Sequence, residues 1–157
     1  MNKFFYLLLL VTGLSGGSVA AATQTGALLS TPLSDLRSQN SIALQEYAGK
    51  WVLASFFEPN CSWCFRQMKA FTRLTEKCSH IQPVAIGING NRQKLRKEVR
   101  KAKIKYPAVV GSRALLDVVG EVPATPWTLI IDPEGNTLAT LRGYHPLEQL
   151  GPALACE

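Results

Sequence analysis

WVLASFFEPNCSWCFRQM, residues 51–68, sets a nearly continuous apolar run, Trp51 to Phe57, against a Cys-x-x-Cys pair, Cys61 and Cys64. Bounded by Gly49-Lys50 and Pro59, the run reads as a buried central strand, because a strand covered on both faces need not alternate. Beyond it Phe65, Met68, Phe71 and Leu74 recur at spacings of three, the apolar stripe of a helix over about residues 61–77. The two cysteines therefore sit where a strand ends and a helix begins. Four chemistries compete for such a pair: a metal knuckle, a haem attachment, a structural staple, or a disulfide that opens and closes.

Zinc wants four ligands, usually from two knuckles. The only further candidates, Cys78 and His80, stand one residue apart at the far end of the same helix, so no metal is expected. Haem attachment needs Cys-x-x-Cys-His, and Phe65 follows Cys64. A staple closing so short a loop gains little chain entropy. A helix N-terminus, by contrast, offers unpaired N–H groups and the positive end of the macrodipole to a thiolate on Cys61. A lowered thiol pKa makes a cysteine nucleophilic near neutral pH. Residues three apart in a first helical turn also meet disulfide geometry. The pair fits thiol–disulfide exchange, with Cys61 attacking and Cys64 resolving. That chemistry needs no cofactor beyond the disulfide itself.

The remaining chain supplies a sheet around this junction. Ser41 to Leu44 reads as a short edge strand after a loosely ordered lead-in, Thr23 to Ser34. Pro83 to Ile88 reads as a second buried strand, Leu115 to Val119 as a short helical piece, and Trp127 to Ile131 as a third strand. Turn residues at 132–136 return the chain into a strand from Thr137 to Leu141. Pro146, a favoured first helical residue, opens a last helix to about Ala155. The order is β-α-β-α-β-β-α. Helices joining successive strands imply parallel pairing, and the closing hairpin is antiparallel. The fold class is α/β, a mixed central sheet with helices on both faces.

A net charge of +6 is concentrated between Arg92 and Lys105, where eight cations face one acid, Glu98. Leu95, Val99 and Ala102 recur as a buried stripe, so the charges read as the wet face of a helix that ends ahead of Pro107. Interleaved aromatics for base stacking are missing, and no nucleic-acid partner is expected. With 46% hydrophobic and 18% charged residues, the chain can bury a core and is not of disordered composition. At the N-terminus, Asn2-Lys3, the apolar run Phe4 to Leu14 and the small residues Ser18 to Ala22 have the three-part layout of a secretory signal peptide. The apolar run is well short of the ~20 residues that span a bilayer. Residues 1–22 are read as that leader and residues 23–157 as one soluble domain, exported to the periplasm. Disulfides are permitted there, and four cysteines can pair completely.

Taken with Gly49 to Leu53, Tyr106-Pro107, Val122-Pro123-Ala124-Thr125-Pro126, Leu129 to Asp132, Glu134-Gly135 and Gly143, the cysteine pair resembles the thioredoxin-like proteins, in their exported branch typified by TlpA and ResA. The resemblance runs over about residues 34–150 and implies the thioredoxin fold. It implies a cis Thr125–Pro126 bond facing the cysteines, with the Thr125 backbone free to pair with an extended substrate segment. Trp63 and Trp127 would border that site as an apolar rim, although Trp127 also reads as strand core. In the family the helix after the cysteines and the final helix lie on one face. Cys78 and Cys156, which end those helices, would then form a structural disulfide far from the site.

Three positions depart from the family pattern. Ser55 stands where thioredoxin has a buried acid, Gln67 where ResA-like proteins often have Glu, and Asn60 where Trp is usual. Both familiar proton acceptors for Cys64 are thus replaced, which leaves water or Glu58 as the candidate proton relay. The resemblance implies a monomeric thiol–disulfide oxidoreductase, reductase favoured over oxidase or isomerase, acting on the thiols and disulfides of exported proteins and recharged by a membrane-bound partner. The alternative is a non-catalytic binding or assembly module whose Cys61–Cys64 bond stays closed.

Overall fold

The computed structural model describes residues 26–156, so the leader reading for residues 1–22 lies outside the described residues. Two short strands, β1 (Leu33–Ser34) and β2 (Ser41–Ile42), form an antiparallel pair ahead of the main body. The main body alternates strand and helix: β3 (Trp51–Phe57), α1 (Ser62–Lys77), β4 (Ile81–Gly87), α2 (Arg92–Ala102), β5 (Ala108–Val110), α3 (Arg113–Val119), β6 (Trp127–Ile131), β7 (Thr137–Arg142) and α4 (Leu147–Ala153). Five of these strands make one mixed sheet in the order β5-β4-β3-β6-β7. β3 runs parallel to β4 and β4 to β5, while β6 is antiparallel to both β3 and β7.

The central position of β3 explains its composition. Leu53 and Phe57 enter the core on one face, with Cys64, Met68, Phe71, Leu95, Val99 and Leu150. Val52, Ala54 and Phe56 enter the other, with Leu44, Val84, Leu115 and Leu129. Strand alternation thus buries a continuous run in two separate clusters. On the first face lie α1, α2 and α4. On the second lie α3, a 3-10 helix at Leu44–Tyr47 and the lead-in.

The structure corrects five details of the sequence reading. β5 was not legible: three residues between Pro107 and Gly111 are too few to show a period. Because β5 takes the parallel crossover from β4, α3 and the loop after it carry the chain back past β3. β6 therefore arrives antiparallel, not parallel. Ser41-Ile42 pairs with β1 and not with the main sheet. Residues 26–30 are helical, and Leu28, Leu33 and Leu36 are buried, so the lead-in is packed. Pro146 caps α4 from outside, with extended ψ, instead of opening its first turn.

Arg92 holds this lead-in in place and so leaves the wet face assigned to it. Its guanidinium donates to Ser34 Oγ at 3.0 Å, to the Ser38 carbonyl at 2.5 Å and to the Asp35 carbonyl. The other basic residues of the run are exposed. No helix among the described residues is long and apolar enough to cross a membrane.

Candidate functional site

The site is set by the turn between β3 and α1. Asn60 adopts φ +61, a left-handed conformation that asparagine tolerates better than bulkier side chains. Gly90 makes room for the same turn, since a Cβ there would stand 2.6 Å from Pro59 Cγ. Cys61 is then the N-cap of α1, extended at φ −88 and ψ 104, and its Sγ accepts from the Cys64 N–H at 3.0 Å. An N-cap sulfur thus receives one of the orphan donors of the helix.

Cys61 and Cys64 form a disulfide, with Cα atoms 5.2 Å apart. Access to the two sulfurs differs: Cys61 is half-buried, whereas Cys64 is 3% exposed within the core under α1. The Thr125–Pro126 bond is cis. Thr125 faces Cys61, its carbonyl oxygen and its Oγ1 each 3.8 Å from Cys61 Sγ. Beside them is an open groove of about 380 Å³ lined by Trp63, Thr125, Pro126, Gly143 and Tyr144.

Trp63 projects from the first turn of α1 and is 52% exposed. Its ring stacks on Tyr144 at 5.9 Å between centroids, and the Arg66 guanidinium lies 4.7 Å from its centroid. The result is an apolar wall with a cationic edge. Gly143 N–H donates to the Pro126 carbonyl at 2.8 Å, which ties the Tyr144 loop to the Thr125–Pro126 segment.

The structure gives a physical reason for two of the departures. Gln67 is buried at 2% exposure. Its Nε2 donates to the His145 carbonyl at 3.2 Å, and its Oε1 accepts from the His145 N–H at 2.8 Å. An ionised Glu could only accept, so a neutral amide is what closes this two-way bond. Ser55 Oγ accepts from Thr128 Oγ1 at 2.9 Å, a buried hydroxyl pair. Ser55 shares its sheet face with Leu53 and Phe57, hence with Cys64. Uncharged groups therefore occupy both places where the family resemblance implies acids.

Glu58 is beside Cys61, on the Thr125 side of the pair. Its Oε1 accepts from Thr125 Oγ1 at 2.6 Å and its Oε2 from Asn89 Nδ2 at 3.0 Å. The Thr125 bond first, then the Asn89 bond, hold the carboxyl below its usual range against a small opposing effect of burial. Glu58 is thus ionised at neutral pH.

Trp127 does not line the groove. It pairs in register with Phe56, tilts against that ring at 5.5 Å, and packs in the cluster on the face away from α1. Alternation along β6 places it on that side, so it is core and not rim. Cys78 and Cys156 are joined at the far ends of α1 and α4, both buried, with Cα atoms 5.8 Å apart. Tyr144 and Asn89 were missed from sequence, because nothing in their spacing points to the site. Gly143 and the Asn89-Gly90 turn were the available signals. Among the described residues no group of three or more His, Cys, Asp or Glu side chains could hold a metal ion.

A mixed five-stranded sheet with a disulfide at the head of the helix after its central strand defines a thioredoxin-fold protein. The chain belongs to the AhpC/TSA family, whose profile matches residues 29–139. No curated protein sequence matches it. Among solved structures it is similar to a secreted Mycobacterium tuberculosis disulfide oxidoreductase homologous to Escherichia coli DsbE, with TM-score 0.71, 13% identity, and 83% of this chain and 97% of that one covered. It is also similar to DsbF of the same organism, with TM-score 0.72, 18% identity and coverage of 82% and 96%. StoA of Bacillus subtilis aligns with TM-score 0.64, 16% identity and coverage of 78% and 93%. At such identities the likeness is one of fold.

Proposed function

We propose that the chain is an exported, monomeric thiol–disulfide oxidoreductase working as a reductant of exported proteins. The observation that carries this reading is the unequal access of two sulfurs at a helix N-terminus beside an apolar groove. In the reduced protein, the Cys61 thiolate attacks one sulfur of a substrate disulfide. That S–S bond breaks, the other substrate sulfur leaves as a thiolate, and a mixed disulfide forms on Cys61. Cys64 then loses its proton and attacks Cys61 Sγ. The second substrate sulfur leaves, so the substrate takes up two electrons and the protein ends as the Cys61–Cys64 disulfide. Thr125 and Pro126 hold the extended substrate segment, and Trp63 with Tyr144 gives its side chains an apolar wall.

A membrane-bound dithiol donor recharges the pair in this scheme. Export rests on the leader-like residues 1–22. Similar proteins of known structure include a secreted oxidoreductase, which supports the same location. A second reading, a binding module with a permanently closed pair, is favoured by one observation: the groups around Cys64 are uncharged and offer no carboxylate to take its proton.

Removing the resolving thiol separates the two readings. Cys64→Ala is expected to accumulate covalent mixed disulfides through Cys61 when incubated with disulfide-bonded exported proteins, seen as reducible adducts by non-reducing electrophoresis. Absence of adducts, with Cys61 unreactive towards iodoacetamide at neutral pH, would sink the oxidoreductase reading.

A further inference from the structure

A threonine hydroxyl has one hydrogen to give. At Thr125 that hydrogen goes to Glu58 Oε1 at 2.6 Å, a short bond to a charged acceptor. Asn89, donating to the other carboxylate oxygen at 3.0 Å, fixes the carboxylate for this purpose. Thr125 Oγ1 is also 3.8 Å from Cys61 Sγ. With its hydrogen committed to Glu58, the hydroxyl presents only lone pairs to the sulfur. A Cys61 thiol can donate to those lone pairs, whereas a Cys61 thiolate meets their repulsion and a carboxylate one hydroxyl away. Both effects work against the helix N-terminus, which favours the thiolate.

We propose that Glu58, through the orientation of the Thr125 hydroxyl, is a positioning residue that raises the Cys61 thiol pKa and thereby holds the pair towards its reducing end. This rests on the redox reading above and supplies a physical cause for its reducing direction. Stabilising a thiolate stabilises the reduced protein and makes the disulfide the stronger oxidant. Opposing the thiolate does the reverse. The charged surroundings agree: Glu98 of α2 also reaches this turn, its Oε1 3.5 Å from the Asn60 N–H nitrogen. Arg66, the cation of the first turn of α1, is placed over the Trp63 ring. The ionised state of Glu58 is kept by the same two hydrogen bonds.

In Glu58→Gln the amide can donate to Thr125 Oγ1, which frees the threonine hydrogen to turn towards the sulfur and removes the charge. The Cys61 pKa, read from the pH profile of iodoacetamide alkylation of the reduced protein, should fall by about one unit, the size expected of one such neighbour. The equilibrium constant with glutathione should shift towards the reduced protein, by up to about tenfold above both pKa values and by less below them. Thr125→Ser keeps the hydroxyl and should keep the parent pKa. In a Thr125→Val background, Glu58→Gln should lose most of its effect.

An unchanged pKa in Glu58→Gln overturns the proposal, as does an equal fall in the Thr125→Val background. Alkylation reads the thiol whether or not the pair turns over. A wild type that never cycles with glutathione would therefore defeat the oxidoreductase reading and leave this one to be judged on its pKa values.

Discussion

Replacing Cys78 and Cys156 with alanine should lower stability by about 3–5 kcal/mol, the size expected for a disulfide that closes a long loop. The bridge joins residues 78 apart in sequence, so opening it releases half of the chain from a constraint in the unfolded state. The folded state adds to this. Cys156 N–H bonds to the Gly151 carbonyl, and His80 Nε2 is 3.0 Å from the Leu154 carbonyl. The bridge therefore secures the end of α4 against the foot of α1. Thermal unfolding should move down by roughly 10–15 °C, with thiol–disulfide exchange at Cys61 retained at low temperature. A melting temperature within about two degrees of the parent would contradict this. So would free alkylation of Cys78 and Cys156 in the native, unreduced protein.

The second large effect is expected at Gln67. Gln67→Leu keeps the volume but leaves the His145 N–H and carbonyl unpaired in a part-buried place. Unsatisfied groups of this kind cost about 1–3 kcal/mol each. Because His145 follows Tyr144, the loss acts on the groove as well as on stability. The Trp63–Tyr144 stack should loosen, and KM for a protein substrate should rise several-fold while exchange with a small disulfide changes little. Gln67→Glu should behave similarly at neutral pH, where the ionised carboxylate faces the His145 carbonyl, and recover as the acid protonates at low pH. Unfolding by urea and paired assays with protein and small substrates check both statements. A Leu variant with unaltered stability and unaltered KM would show that the amide does not hold the loop.

Much of this architecture could be read from residues 51–68. The apolar run gave β3, the threefold spacing gave α1, and the junction between them gave Cys61 its place at the helix N-terminus. Cys78 and Cys156 could be brought together only through the family resemblance, which implies that the two helices they end share one face. What escaped reading depended on tertiary contact. β5 is three residues long, and its presence reverses β6. Arg92 looks like any other cation of its helix, yet it is bound to the Ser34 to Ser38 segment across the fold. Glu58, Asn89 and Thr125 are far apart in sequence, and each is unremarkable alone. Their meeting beside Cys61 is set by the crossing of three loops at one end of the sheet. Gln67 and Ser55 were legible as missing acids; their partners, His145 and Thr128, were not.

The proposed activity requires that the Cys61–Cys64 bond opens and closes in use. Equilibration of the protein with mixtures of reduced and oxidised glutathione, or of dithiothreitol, followed by fluorescence of the adjacent Trp63, measures this directly. A reversible two-electron transition is predicted with a midpoint between roughly −300 and −120 mV, the span of working thiol–disulfide proteins, and towards its reducing end. A pair that stays oxidised well below about −300 mV, like a structural disulfide, would contradict it.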